Sequence, residues 1–220
     1  MFFKNRTDAG EKLAQALKKY KDKEVVVYAL PRGGVVVAVE IAKFLKAPLD
    51  LIISRKIGHP FQPEYAIAAV TEDGDVIGND MEIRSVDKKW FKEEVERQKL
   101  EAKRRREQYL TGRKKIAAKD KIAILVDDGI ATGLTIRAGI LELKHQKSEK
   151  IVIATPVVSR SIADIIRKEA DEIIALEIPE DHDFLFAVGS YYNSFNNISD
   201  KEVISIIGTY DKEFYNLKKS

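Results

Sequence analysis

The sequence predicts an α/β fold: a doubly wound, mainly parallel five-stranded sheet flanked by helices, with a hairpin arm and a small cap formed by the terminal segments. Three observations predict it. Short apolar runs rich in β-branched residues recur along the chain, segments of helical length separate them, and glycine or proline marks several junctions. Strands that alternate with helices at this spacing pair in parallel. We therefore expect ligands to bind at the carboxyl ends of the strands.

Five segments have the length and composition of strands buried on both faces of a parallel sheet. They are residues 24–30, 49–54, 121–126, 151–158 and 172–178. The intervening segments have the length and apolar spacing of helices. They are a first helix that Asp8 caps and that runs through residues 13–20, and further helices at 35–46, 132–145 and 162–170.

Two segments interrupt this alternation. Residues 66–78 place two apolar stretches around Glu72-Asp73-Gly74-Asp75, which predicts a hairpin arm. Residues 87–110 follow as a long charged helix whose narrow apolar seam, at Phe91, Val95, Ala102 and Tyr109, predicts a position on the surface.

The chain is long enough for one well-buried core, and its composition shows no linker. We therefore expect one domain over residues 1–220, with a core at about 22–178. The segment 179–220 is rich in aromatic residues and asparagine at its start, and we expect it to form the cap together with residues 1–8.

Composition excludes several classes of protein. Hydrophobic residues make up 45% of the chain and charged residues 33%, as in a soluble globular protein. The absence of cysteine excludes disulfides, thiolate metal sites and cysteine nucleophiles. No apolar run approaches the roughly 20 residues that a bilayer span needs, and the first residues lack the features of a secretory signal. We expect a cytoplasmic protein without a membrane partner.

Positive charge is concentrated in one segment. Residues 82–121 contain 15 Lys/Arg and 8 Asp/Glu, a balance of +7, so that the rest of the chain carries −4 of the net +3. Two interpretations stay open: a solvated helix face or a contact with RNA. A net charge this small does not favour nucleic acid as a partner.

A pair of carboxylates and a small-residue loop carry the strongest functional signal. Asp127 and Asp128 end an apolar strand, and seven residues then lead into a helix: Gly129, Ile130, Ala131, Thr132, Gly133, Leu134 and Thr135. Two carboxylates at a strand end need hydroxyls, a cation or other donors to satisfy them. Backbone N–H groups and two threonine hydroxyls at a helix N-terminus suit a phosphate. A ribose 5-phosphate offers hydroxyls at one end and phosphate at the other.

The run VDDGIATGLT resembles the motif with which type I phosphoribosyltransferases bind 5-phosphoribosyl 1-pyrophosphate (PRPP). Four other segments resemble a group of phosphoribosyltransferases of undefined base specificity. They are FKNRTDAGEKLA, LPRGG, SRKIGHPFQPEYAIAAVTEDG and YYNSFNNISDKEV. Together with the first motif they cover most of the chain.

The resemblance implies roles for named residues. Asp127 and Asp128 would hold the ribose hydroxyls and, mostly indirectly, Mg²⁺, while the loop from Gly129 to Thr135 would hold the 5′-phosphate. The pyrophosphate contacts implied are Pro31, Arg32, Gly33, Gly34, Arg55 and Lys56, with a cis peptide between Pro31 and Arg32. Catalysis would rest on Asp127, Asp128 and Arg32.

Other roles remain alternatives. The arm at residues 66–78, continuing to Arg84, would be the mobile catalytic loop of the family. Charge for the departing pyrophosphate could come from Arg84, Lys88 or the run Arg104-Arg105-Arg106, although we expect that run on a solvated helix face. The rings of Tyr191, Tyr192 and Phe195 could stack on a base or belong to the core.

The implied reaction transfers the 5-phosphoribosyl group of PRPP to a nitrogen of a base and releases pyrophosphate, in a Mg²⁺-dependent homodimer. Hypoxanthine-type enzymes carry an aspartate where this chain has Ala131, and adenine-type enzymes carry alanine. We expect a purine rather than a pyrimidine, with its identity open. Glu64, Glu72 and Asp183 are candidate bases that no spacing distinguishes.

Two alternatives belong to other classes. The same motifs would occur in a non-catalytic regulator that senses PRPP or a nucleotide and binds RNA through residues 82–121. A receiver-like domain with Asp127 or Asp128 as phosphoacceptor would need a lysine at the end of its last strand, and EIIALEIP has none.

Overall fold

The computed structural model describes residues 2–185 and 187–217. Strands and helices alternate through these residues and are labelled in chain order. The strands are β1 (Val25–Ala29), β2 (Leu49–Leu51), β3 (Ser54–His59), β4 (Gln62–Thr71), β5 (Val76–Gly78), β6 (Ile122–Val126), β7 (Lys150–Val157) and β8 (Glu172–Glu177). The α-helices are α1 (Arg6–Ala16), α2 (Gly33–Leu45), α3 (Asp80–Ser85), α4 (Lys88–Tyr109), α5 (Leu134–His145), α6 (Arg160–Glu169) and α7 (Asp200–Leu217).

The predicted five-stranded parallel sheet is confirmed. Its order is β2-β1-β6-β7-β8, and each neighbouring pair is parallel. Alternate residues of β1 and β6 point to opposite faces, as the period of a strand requires. Val27 and Ile124 pack on one face with residues of α1, α2, α4 and α7, whereas Val26 and Leu125 pack on the other with residues of α5 and α6. Burial on both faces explains why these strands read as unbroken apolar runs.

The arm contains one strand more than the sequence predicts. The hairpin at residues 66–78 is confirmed as β4 and β5, but β3 pairs with β4 as well and completes a separate three-stranded antiparallel sheet. The sequence prediction of a second strand at 49–54 was wrong at its end, because β2 stops at Leu51. β3 is mostly polar and only partly buried, and it bulges at Gly58, so its sequence lacks the apolar alternation that marks a strand.

The first helix begins earlier than expected. Its N-cap is Asn5, whose side chain accepts a hydrogen bond from the backbone of Asp8, and the Asp8 carboxylate accepts one from the backbone of Lys4. The prediction of Asp8 as the cap was therefore wrong by three residues. Two residues of the Ser/Thr/Asn/Asp type close together offer the same capping signal, and tertiary contacts choose between them.

The last helix, α7, was not predicted. Its buried side chains are Val203, Ile207, Tyr210 and Phe214, which recur at helical spacing and belong to the same core as α2. Within the cap, residues 3–4 pair with residues 191–194 through backbone hydrogen bonds, so the two terminal segments meet as expected.

A buried ion cluster fastens the arm to the helices. It consists of Asp50, Glu72, Arg106, Lys115 and Glu142. The Arg106 guanidinium donates to Asp50 at 2.8 Å and lies 3.2 Å from Glu72. The Lys115 ammonium lies 3.0 Å from Glu72 and 2.7 Å from Glu142. The turn of the β4–β5 hairpin is thereby joined to α4 and α5.

This cluster corrects the expectation for the run Arg104-Arg105-Arg106. Arg104 is exposed and pairs with Glu101 on its own helix, as a solvated face requires. The Arg106 side chain is only 13% exposed and also donates to the carbonyl of Leu51. Its function is structural. The sequence could not show this because the partners of Arg106 lie on other elements.

The cluster makes stability depend on pH. Burial raises the pKa of Glu142 to about 7 from an ordinary 4.5, against the opposing effect of Lys115. Between these values the folded protein retains a proton that the unfolded chain has released, so the free energy of unfolding falls as pH rises through this window. The total fall due to Glu142 is on the order of 3 kcal/mol. Urea unfolding from pH 4.5 to 8 measures it.

The Glu142→Gln variant isolates this contribution, because glutamine cannot titrate. We expect its stability to change less over this pH range than that of the unchanged protein, whereas Glu149→Gln, at an exposed site, should leave the pH dependence unchanged. Equal pH dependence in Glu142→Gln and the unchanged protein would contradict the assignment.

None of the helices in residues 2–185 and 187–217 combines the length and apolar character that a membrane crossing requires.

Candidate active site

Two loops meet at the carboxyl edge of the parallel sheet. β1 and β6 are neighbours in register, with Ala29 opposite Val126, so the loops that follow them lie side by side. The backbone N–H of Leu30 donates to the carbonyl of Val126 at 2.9 Å. A side-chain carbon added to Gly33 would lie 1.8 Å from Oδ2 of Asp128. Only glycine fits there, and the structure thus brings together two motifs that the sequence separates by about 95 residues.

The acid pair, Asp127 and Asp128, lies at this junction. The backbone N–H of Asp128 donates to Oδ1 of Asp127 at 2.9 Å. Burial raises the pKa of Asp127 well above its usual value, and the adjacent Asp128 carboxylate adds to the rise. Two carboxylates held this closely present several hydrogen-bond acceptors to one ligand.

Arg6 contacts the acid pair and was not assigned a role from the sequence. Its Nε donates to Oδ2 of Asp128 at 2.6 Å, and one terminal nitrogen donates to the carbonyl of Asn196 at 2.7 Å. The guanidinium carbon lies 3.7 Å from the ring centroid of Phe195. The only available signal was that Arg6 stands within FKNRTDAGEKLA, a segment without a chemical motif.

The loop after the acid pair leads into the N-terminus of α5. Gly133 caps α5 with φ at 75°, in the left-handed region that favours glycine. Thr132 is exposed, and Thr135 is partly exposed in the first turn of α5. One residue departs from the expectation: the N–H of Ile130 donates to the carbonyl of Val157, and its side chain is buried. Ile130 therefore anchors the loop, and its N–H already has a partner.

The loop after β1 has the predicted cis peptide between Pro31 and Arg32, and α2 begins directly after it at Gly33. The Arg32 side chain is about half exposed, and its guanidinium lies 3.5 Å from Asp200 at the start of α7. Asp200 also accepts a hydrogen bond from the hydroxyl of Tyr109. The role of Arg32 toward pyrophosphate stays a prediction.

A family model for the phosphoribosyl transferase domain matches residues 4–194, which include both loops and the acid pair. The chain belongs to this family.

Proteins similar in sequence and structure to this phosphoribosyl transferase domain support the family assignment. Two curated Mycobacterium tuberculosis proteins named "Putative phosphoribosyl transferase" are 41% identical to it over 214 residues. The match covers 96% of this chain and 48% of theirs, so the chain spans about half the length of these relatives. The crystal structure of TT1426 from Thermus thermophilus is 37% identical and superposes with a TM-score of 0.81, covering 96% of this chain and 99% of that one.

The two basic residues of β3, Arg55 and Lys56, differ in their exposure and contacts. Arg55 faces α4, where its Nε donates to the side chain of Gln98 at 3.0 Å, and burial lowers its pKa. Lys56 is exposed, and its charge acts against the rise in the pKa of Asp127. Both residues line a cleft of about 340 Å³ between the β3–β4 hairpin and α4.

The cap aromatics are mostly buried. Tyr191 and Tyr192 are 6% and 7% exposed and pack with Phe3. The hydroxyl of Tyr192 donates to the backbone carbonyl of Asp128 at 2.5 Å. Tyr192 therefore helps to fix the backbone of the acid pair. Stacking of either ring on a base stays a prediction, and their burial leaves little ring surface for it.

Among the described residues, one group of carboxylates has the spacing of metal ligands: Glu72, Asp73 and Glu142. The Lys115 ammonium lies within 3.0 Å of all three. A cation of the chain itself therefore fills this position, and the group is not a candidate magnesium site. Glu72 is paired with Arg106 and Lys115, so the structure does not support Glu72 as a base for the reaction.

The basic segment 82–121 is extensively paired. The residues of this segment that form ion pairs with carboxylates are Lys89, Arg97, Lys99, Arg104, Arg105, Arg106, Arg113 and Lys115. Pairing within the protein reduces the field that such a segment offers to a polyanion.

Proposed function

We propose that this chain transfers the 5-phosphoribosyl group of PRPP to a nitrogen of a purine base and releases pyrophosphate. One observation carries the proposal: the acid pair lies directly between a helix N-terminus with exposed threonine and a glycine loop that touches it. This is the order in which PRPP presents its phosphate, its ribose hydroxyls and its pyrophosphate. The family assignment supports the same activity.

Each part of the site has a task in this reaction. Asp127 and Asp128 accept hydrogen bonds from the ribose hydroxyls and fix the sugar. The N–H groups at the start of α5, with the hydroxyls of Thr132 and Thr135, hold the 5′-phosphate. Gly33 lets the first loop approach the sugar closely, and Arg32 and Lys56 offer positive charge to the pyrophosphate.

Displacement of pyrophosphate from C1′ creates positive charge on the sugar in the transition state. Such a reaction needs electrostatic stabilisation and exclusion of water rather than a nucleophile of the enzyme. The acid pair provides negative charge near the sugar. The segment that would exclude water is the exposed tip of the β3–β4 hairpin, where Phe61 is 88% exposed, rather than the arm at residues 66–78, because the buried ion cluster holds the turn of that arm.

The residues fit magnesium that is bound mainly by the substrate. Oδ2 of Asp128 is already taken by Arg6, so the acid pair does not offer a complete ligand set to a cation. Oxygens of pyrophosphate and ribose would complete such a set, and Asp127 and Asp128 would hold the ion mostly indirectly, through ribose hydroxyls or water. The chemistry that Mg²⁺ would supply there is neutralisation of charge on the leaving pyrophosphate.

Among purines, the loop after the acid pair argues against a 6-oxopurine handled in the hypoxanthine manner. Ala131 is exposed there and has no group that could exchange a proton with a base, so proton transfer of the hypoxanthine type is not available at this position. The RNA-binding regulator gains no support from the basic segment, because so many of its charges are paired.

A screen of purine and pyrimidine bases with PRPP and Mg²⁺ tests the proposal by measuring pyrophosphate release. We expect release with at least one purine, and a loss of about 100-fold in the double variant Asp127→Asn/Asp128→Asn, because the sugar is no longer held in place. Asp164→Asn, at an exposed site on α6, serves as the control and should not change the rate.

Two outcomes would count against the proposal. Undiminished release in the double variant would show that the reaction occurs elsewhere. PRPP binding without release for any base would favour the sensing regulator instead.

A further inference from the structure

We propose that Arg6 is a positioning residue for the acid pair, fixing the Asp128 carboxylate in the orientation that receives the ribose of PRPP. The inference rests on the proposed function and adds a residue to it. If Arg6 has this role, binding of the ribose at Asp127 and Asp128 depends on the two terminal segments of the chain, because these segments hold Arg6 in place.

The position of Arg6 is tightly determined. Its side chain is 10% exposed and makes three contacts of different kinds: a charged hydrogen bond to Asp128, a hydrogen bond to the carbonyl of Asn196, and a stacking contact with Phe195. A buried guanidinium needs such partners, because an uncompensated charge is costly to bury. Arg6 therefore has little freedom to leave Asp128.

The terminal segments hold Arg6 at this place. It is the first residue of α1, and Asn5 caps that helix. The residues just before it are hydrogen-bonded to residues 191–194, and Asn196 and Phe195 continue the same segment. The Arg6 guanidinium thus links the two terminal segments that form the cap to Asp128, which follows β6.

Asp128 is held from several sides, and Arg6 donates a charged hydrogen bond to its side chain. Its N–H bonds to Asp127 and its carbonyl accepts from Tyr192, which fixes the backbone. Arg6 takes Oδ2, the oxygen that also faces Gly33, and leaves Oδ1 for a ribose hydroxyl.

The charge of Arg6 matters as much as its geometry. Two adjacent carboxylates repel each other and repel the phosphates of PRPP. The guanidinium beside Asp128 offsets part of that charge. Removal of Arg6 should therefore free the carboxylate to rotate and increase the repulsion of substrate.

Isothermal titration of the full chain with PRPP and Mg²⁺ tests the inference. We expect Arg6→Ala to weaken PRPP binding by about 10- to 100-fold, the range of a charged hydrogen bond. Arg6→Lys should recover part of the loss, and guanidinium ion at low millimolar concentration should improve binding to Arg6→Ala. Thermal unfolding of each variant, followed by circular dichroism, establishes that it is folded.

Arg113→Ala is a matched control. Arg113 is 15% exposed and pairs with Asp211 at 2.9 Å, so its removal also breaks a mostly buried ion pair, but away from the acid pair. We expect this variant to lose stability and to retain the affinity for PRPP.

The possible results separate the two proposals. Unaltered PRPP binding in Arg6→Ala would overturn the role of Arg6 alone. A loss that neither lysine nor guanidinium restores, with a comparable loss in Arg113→Ala, would reduce Arg6 to a structural ion pair and likewise overturn it. An unchanged protein that does not bind PRPP at all would overturn the proposed function itself, and the role of Arg6 with it.

Discussion

Alanine in place of Gly33 is expected to lower the rate of pyrophosphate release by about 100-fold, because a displacement of about 1 Å at a reacting centre has this effect. The added carbon would lie 1.8 Å from Oδ2 of Asp128 and 2.8 Å from Nε of Arg6. Neither group can withdraw easily, since each holds the other at 2.6 Å. Steady-state kinetics with PRPP and the base found in the screen measure the effect.

Gly208→Ala is the control for this substitution. A carbon added to Gly208 in α7 meets no atom within 4 Å, and alanine suits a helix interior better than glycine. We expect unchanged kinetics and slightly higher stability. A Gly33→Ala variant with ordinary kinetics would contradict the close contact between the first loop and the acid pair.

Among the substitutions considered, Lys115→Met should lower the free energy of unfolding the most. It would leave the carboxylates of Glu72 and Glu142, 2% and 1% exposed, without the ammonium that lies between them. Breaking one partner of a buried ion pair in this way costs about 3 to 5 kcal/mol. Chemical denaturation at pH 8 measures the loss under conditions in which the carboxylates are most fully ionised.

Lys89→Met provides the comparison. Lys89 and Glu93 are 85% and 67% exposed and lie 4.0 Å apart, so the loss of this pair should change stability by less than about 0.5 kcal/mol. Similar effects of the two substitutions would show that Lys115 is not an essential counter-ion of the buried cluster.

The sequence was sufficient to predict those elements and motifs that depend on residues adjacent in the chain. The five strands of the sheet are buried apolar runs, and the acid pair and its glycine loop form one continuous segment, so pattern and chemistry could be recognised together. Gly33 and Gly34 could be placed at the same edge because parallel strands end on one side of a sheet.

The sequence was insufficient to predict the role of a residue whose partners lie far away along the chain. Arg6 resembles any arginine at the start of a helix until Asp128, 122 positions later, is found beside it. Arg106 cannot be distinguished from Arg104 and Arg105 without Asp50 and Glu72. β3 was missed because its mostly polar sequence has no apolar periodicity, although its pairing with β4 is extensive.

The two sheets differ in how they can assemble during folding. β3, β4 and β5 are antiparallel and joined by short turns, so they can pair soon after collapse. β1 and β6 are parallel neighbours whose partners lie about 100 residues apart, and closing so long a loop carries a greater entropic cost. We therefore expect the arm to form early and the edge that carries the acid pair to form late, so that partly folded chains lack the ligand site even when much of their secondary structure is present.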